Sequence, residues 1–116
     1  MDTKAYAIAY LRDVDANAEI VDYIERSDAT LAPYGGHFLV HGGKLTPAEG
    51  EWTGDVIIIE FPDEQSAVAW YGSPAYQDIL PLRTRNSHGM AALVRGVPVG
   101  YRAVDKLAEL LGQEAG

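Results

Sequence analysis

Nine side chains in the middle of this chain could do chemistry together: His37, His41, Glu60, Tyr71, Ser73, Tyr76, Arg83, Asn86 and Ser87. His37 and His41 fall on one strand-like run at an even spacing, so simple alternation puts both imidazoles on one face. Such a pair could relay a proton or ligate a metal, or one of them could be a satisfied polar group at a sheet edge; with no third ligand signalled nearby, no metal is expected. Glu60 interrupts the apolar run Val56-Ile57-Ile58-Ile59 just before Phe61-Pro62. A carboxylate there is costly unless paired, so it is either a strand-end acceptor, with Arg12 and Arg83 as natural counterions, or a poised acid/base. Tyr71, Ser73, Tyr76, Arg83, Asn86 and Ser87 crowd a short stretch and supply aromatic walls with a few polar groups, the usual make-up of a small-molecule pocket. Arg83 could hold a carboxylate or enolate oxygen. Trp70 reads as core.

Positioning these groups takes a particular order of elements. Residues 4–12 alternate, with Tyr6, Ile8, Tyr10 and Arg12 on one side and Ala5, Ala7, Ala9 and Leu11 on the other, the mark of a strand. Asp13, Asp15 and Asn17 offer N-cap oxygens to a helix in which Ile20, Ile24, Ser27, Leu31 and Tyr34 recur at helical spacing, ended by Gly35-Gly36. His37 to His41 reads as a second strand, residues 44–54 as a polar loop, and Val56 to Phe61 as a third strand. Asp63 caps a helix through Tyr71, and Ser73-Pro74 starts another. Pro81 is expected to break that helix between Gln77 and Leu80, with a further helical segment to about Asn86. His88 to Val97 is the last strand. Beyond Pro98 and Gly100, Tyr101, Val104, Leu107, Ala108 and Leu111 form an apolar stripe on an extra C-terminal helix, docked on this subunit or a partner.

The order β-α-β-β-α-β plus a tail helix is α+β and ferredoxin-like, with a four-stranded antiparallel sheet and its helices on one face. Residues 1–97 make the domain and 98–116 the linker and helix. Both sides of the Val56–Phe61 strand carry bulky apolar groups, so the helix-free face needs a cover, and a second copy of the sheet is the simplest one.

Composition narrows the partners. The 116 residues carry 17 Asp and Glu against nine Lys and Arg, a net charge of −8 with no basic stripe, which argues against a phosphate-backbone partner. The absence of cysteine excludes disulfides, thiolate catalysis and Cys-ligated metal centres. No window reaches the roughly 20 apolar residues of a membrane span, and the expectation is a cytoplasmic protein. Gly35-Gly36 and Gly42-Gly43 lack the spacing of phosphate loops, and no nucleophile-elbow or zinc-protease signature is present.

One ordered set of motifs resembles a known family. Tyr34-Gly35-Gly36-His37-Phe38-Leu39-Val40-His41-Gly42-Gly43, Glu49-Gly50-Glu51-Trp52, Ile58-Ile59-Glu60-Phe61-Pro62 and Ala69-Trp70-Tyr71-Gly72-Ser73-Pro74-Ala75-Tyr76-Gln77, followed by Leu82-Arg83 and Ser87, resemble the DUF1330 family of the dimeric α/β-barrel superfamily over about residues 4–97. The resemblance implies a ferredoxin-like subunit whose sheet packs on a partner's. Superfamily members include cofactor-free monooxygenases, cyclases, isomerases and haem enzymes, so the fold alone does not choose a reaction. Family members often carry Arg where this chain has His41 and Asp55, and many end soon after the last strand. Together these features lead us to expect a homodimeric small-molecule enzyme without organic cofactor, in which His41 or Glu60 moves a proton while Arg83 and tyrosine hydroxyls steady an oxyanion. The alternatives are a non-catalytic metabolite-binding or interaction module and, with less support, a haem protein.

Overall fold

The computed structural model describes residues 3–115. Met1, Asp2 and Gly116, at the ends of the two expected segments, lie outside them. The elements run β1 (Ala5–Arg12), α1 (Ala18–Leu31), β2 (His37–His41), β3 (Asp55–Phe61), α2 (Glu64–Tyr71), α3 (Pro74–Thr84), β4 (His88–Arg95) and α4 (Asp105–Ala115). The four strands form one antiparallel sheet in the order β2-β3-β1-β4. This is the ferredoxin-like arrangement, with the second crossover split into α2 and α3.

Local chemistry sets the boundaries. Asn17 caps α1 by accepting from the Ile20 N–H, Asp63 caps α2 through the Ser66 N–H, and Ser73 caps α3 with Pro74 at its first position. The chain leaves α1 through a short 3₁₀ turn and stops at Gly35, whose φ of 70° suits a residue without Cβ. Gly36 then slides beneath the core, where an added Cβ would lie 2.6 Å from Phe61 Cε1.

The helices cover the sheet face that carries Ala5, Ala7 and Leu11 of β1 and Ile57, Ile59 and Phe61 of β3. Phe61, Leu31 and Ile79 are fully buried there, with Trp70 and Tyr76 beside them. Trp70 is a core residue, as its sequence context indicated; its indole N–H donates to Thr30 Oγ1 at 3.0 Å.

Three expectations change. Pro81 does not break α3, which continues from Pro74 to Thr84. The carbonyl left without its donor belongs to exposed Gln77, where water can satisfy it, and burial of Tyr76 and Ile79 before the proline, with half-buried Leu82 and Arg83 after it, holds the helix in place. The helical stripe of α1 centres on Ile20, Ser27, Thr30 and Leu31, while Ile24 is about half exposed. α4 packs on no other element to any extent among the described residues, and its Leu107, Leu110 and Leu111 are exposed; docking on its own subunit is therefore not the arrangement seen.

The opposite sheet face has no helix. Ile8, Met90 and Val94 lie on it in cross-strand neighbourhood, and Met90 is 71% exposed. The loop before β3 shields one end only: Trp52 meets the Tyr10 ring edge-on at 5.6 Å, and the Thr53 and Gly54 N–H groups donate to the Tyr10 hydroxyl.

Candidate functional site

Small residues on the sheet make the site. Ala7 and Ala9 of β1 and Ala91 of β4 offer only methyl groups to the helix-covered face, so the helices cannot close onto the strands there. A cavity of about 270 Å³ remains, walled by Leu31, Phe38, Ile57, Ile59, Trp70 and Leu93. Its polar groups are few: the Tyr23, Tyr71 and Tyr76 phenols, Ser27, His41 and Arg83.

Tyr23 and Tyr76 share a hydrogen bond of 2.7 Å between their hydroxyls, which joins α1 to α3. Trp70 lies 4.1 Å from the Tyr76 ring and Tyr71 lies 5.4 Å from it, so the aromatic wall is continuous. Burial, with the Tyr76 oxygen beside it, pushes the Tyr23 phenol well above its ordinary pKa, and it stays neutral. Arg83 is half-buried, with its guanidinium carbon 6.0 Å from the Tyr23 ring centroid. Burial works against its charge, but the two phenol oxygens more than offset this and its pKa is raised. None of the ion pairs of the described residues uses Arg83. It is a cation held by the Tyr23 ring and two phenol oxygens at the edge of an apolar cavity, which is what an incoming oxyanion requires.

Of the nine residues singled out in the sequence, the structure brings Tyr71, Tyr76, Arg83 and His41 to this cavity. His41 reaches it because of a bulge. His37 pairs with Glu60 and Phe38 with Ile59, but Val40 pairs with Ile58, so Leu39 is an extra residue and the alternation slips by one. His41 therefore shares the helix-covered face with Ile57, stacked on Phe38 at 4.4 Å, while His37 faces the other way. The expectation that both imidazoles share a face is corrected. Four residues of strand also span about 13 Å, too far for a common ligand.

Glu60 is on the helix-free face. Its partners are Lys4 at 3.0 Å and His37 at 3.2 Å, in place of the expected Arg12 and Arg83, and the Lys4 ammonium holds its carboxyl below the usual range against partial desolvation. Ser73 is a buried helix cap whose hydroxyl also donates to the Trp70 carbonyl. Asn86 ties the end of α3 to the start of α1, accepting from Asn17 Nδ2 at 2.6 Å and donating to Glu19. Ser87 donates to the Arg83 carbonyl and borders a smaller adjoining hollow. Asn86 thereby fixes α3 against α1, and so the meeting of Tyr23, Tyr76 and Arg83, while Ser73 and Ser87 bond within α2, α3 and its C-terminal turn; none of the three lines the cavity.

Tyr23 is the residue that sequence reasoning missed. Its signal was present: it lies three residues after Ile20 and four before Ser27, both buried on α1. Among the described residues no three His, Asp or Glu side chains gather as a metal ion would need.

Comparison with known proteins gives this framework a family. Residues 4–97 match the model of the domain of unknown function DUF1330. The chain belongs to the DUF1330 family. No curated protein matches it. Among solved structures, this DUF1330 chain is similar to a dimeric ferredoxin-like protein of unknown function from Jannaschia sp. CCS1, with a TM-score of 0.62, 14% identity, and 82% of this chain and 99% of that one covered. It is also similar to SnoaB, a cofactor-independent oxygenase from Streptomyces nogalater, with a TM-score of 0.58, 16% identity, and 86% and 99% covered. A third is RPA0582 from Rhodopseudomonas palustris, a protein of unknown function, with a TM-score of 0.57, 18% identity, and 87% and 86% covered. At these identities the likeness shows the ferredoxin-like fold. The DUF1330 match ends at residue 97, before α4 begins at Asp105. No helix among the described residues is long and apolar enough to cross a membrane.

Proposed function

We propose that this DUF1330 protein is a homodimeric small-molecule enzyme that works without an organic cofactor on a modest enolisable or aromatic substrate. The observation that carries the proposal is Arg83: a half-buried guanidinium without a carboxylate partner among the described residues, set between two phenols at an apolar cavity. A cation so placed favours negative charge on a ligand oxygen more strongly than it would in water. One of the Tyr23 and Tyr76 hydroxyls donates to the other, and the hydrogen left free on the pair can be given to the same oxygen. His41, at the cavity, is the side chain type there that exchanges a proton near neutrality. It would take a proton from the carbon next to a carbonyl, and the electron pair would come to rest on the carbonyl oxygen at Arg83. The resulting stabilised carbanion can be reprotonated elsewhere, close a ring, or react with dioxygen. Likeness in fold to a cofactor-independent oxygenase supports chemistry of this kind in such a cavity. Glu60, on the other face and paired with Lys4, has no part in the proposed step.

The homodimer rests on the apolar helix-free face with Ile8, Met90 and Val94, and on dimeric neighbours of the same fold. One observation favours a second proposal, a metabolite-binding module without turnover. His41 is exposed and stacked on Phe38, and none of the ion pairs of the described residues orients it.

A thermal-shift screen of small aromatic carboxylates, phenols and 1,3-diketones tests both, followed by turnover assays on each stabilising compound with His41→Asn and Arg83→Met. The enzyme predicts that His41→Asn keeps binding and loses turnover of a compound the wild type converts. A binder predicts stabilisation without conversion by any variant. If no oxyanion raises the melting temperature, both proposals are wrong.

A further inference from the structure

The cavity does not end at Arg83. Beside it lies a second hollow of about 190 Å³, whose own lining includes Leu11, Val14, Ile20, Ile24 and Asp55. Tyr23, His41, Ile57 and Arg83 line both hollows. The cation therefore stands between two apolar chambers, an inner one floored by alanines and an outer one roofed by the start of α1. The inner chamber alone, at about 270 Å³, falls short of the roughly 300–1,000 Å³ of most ligand pockets, and the two together come within it.

Charge divides the chambers as well. The outer chamber holds the Asp55 carboxylate, which opposes an anion, and Arg83 is the one Lys or Arg side chain lining either chamber. A ligand that fills both chambers must carry its single negative centre at mid-length, with an uncharged apolar arm on each side. The flat alanine floor and the aromatic wall suit a planar ring in the inner chamber. Val14 and Ile24 suit an aliphatic arm in the outer one.

We propose that the site takes a two-armed, singly anionic substrate of the acyclic 1,3-dicarbonyl type: an aryl arm inside, a central enolate at Arg83 and an alkyl or acyl arm running out between Val14 and Ile24. This rests on Arg83 holding an oxyanion, as proposed above, and adds where the rest of the molecule goes. Each methylene that enters the outer chamber leaves water, so affinity rises with the length of the second arm until the chamber is full.

The test compares benzoylacetone with a homologue whose alkyl arm is four methylenes longer, titrated into wild type, Arg83→Met and Val14→Trp by Trp fluorescence. Burial of a methylene favours binding by about two- to fourfold, so the homologue binds wild type at least tenfold more tightly. Val14→Trp fills the outer chamber and brings the affinity ratio of the two compounds close to one. Ile24→Trp does the same from the helix side, should the first variant fail to fold. Ala91→Leu narrows the inner chamber, weakens both compounds and keeps their ratio. Equal affinity of the two compounds for wild type, with binding still lost in Arg83→Met, overturns the two-armed substrate and leaves the oxyanion site standing. Binding indifferent to Arg83→Met, or no binding of either compound, overturns the oxyanion site and this proposal with it.

Discussion

Replacing Arg83 by methionine separates a ligand-binding role from a structural one, because the two predict opposite pairs of outcomes. Arg83 is half-buried and forms none of the ion pairs seen among the described residues, so the empty protein bears its partial desolvation with only the Tyr23 ring and the Tyr23 and Tyr76 phenol oxygens to offset it. A cation–π contact contributes about 0.5–1 kcal/mol. Methionine follows the same path as the arginine stem and needs no desolvation, so the net effect on folding lies within about 1 kcal/mol of zero, or roughly 5 °C in melting temperature for a domain of this size. The ligand loses a charge-assisted hydrogen bond worth about 1.5–3 kcal/mol, which weakens an oxyanion roughly ten- to hundredfold. Differential scanning fluorimetry and titration with benzoylacetone on the same preparations give both numbers. A structural Arg83 would instead show a fall of more than about 10 °C with affinity unchanged, and that result would refute the assignment.

Other perturbations probe the frame around the site. Thr30→Val leaves the buried Trp70 indole N–H without its acceptor, which costs about 1–3 kcal/mol; calorimetry should show a melting temperature lower by roughly 5–15 °C, and a much smaller penalty when Trp70→Phe is already present. Glu60, held low by Lys4, and Glu19, held low by Arg85 and Asn86, have folded pKa values below their unfolded ones, so their stabilisation is present above about pH 4.5 and is lost as pH falls through the lowered values. A melting series from pH 6 to 3 should therefore fall less steeply at the acid end in Glu19→Gln/Glu60→Gln than in wild type. Met90→Lys places a charge on the helix-free face beside Ile8 and Val94, and sedimentation velocity should show a wild-type dimer and a monomeric variant.

Much of the frame could be read from residue order because local signals and tertiary packing agree there. Alternation in β1 gave the alanine side and the tyrosine side, and the caps at Asn17, Asp63 and Ser73 stand where their side chains reach the first turn. The site was less visible. The bulge at Leu39 leaves no mark in a run of alternating character, yet it turns His41 into the cavity and His37 out of it. Glu60 followed the rule that a costly carboxylate finds a partner, but the partner came from Lys4, at the other end of the chain's first strand, which spacing along the sequence does not reveal. Tyr23 was hidden because Ile24, an equally good helical neighbour, looked like the buried position; the α1–α3 packing angle, set by Asn86, Asn17 and Glu19, chose the tyrosine. Pro81 misled because a helix held by buried Tyr76 and Ile79 tolerates one missing bond on its wet side.

The central claim is that Arg83, Tyr23 and Tyr76 stabilise negative charge on a ligand oxygen, and the pKa of a bound 1,3-diketone measures this directly. Benzoylacetone absorbs differently as enol and enolate, so a pH titration of its ultraviolet spectrum at saturating protein gives the bound value beside the free one. A stabilisation of about 1.5–3 kcal/mol lowers the bound pKa by roughly one to two units. A bound pKa equal to or above the free value would mean that the cavity prefers the neutral ligand, and the oxyanion site would be contradicted.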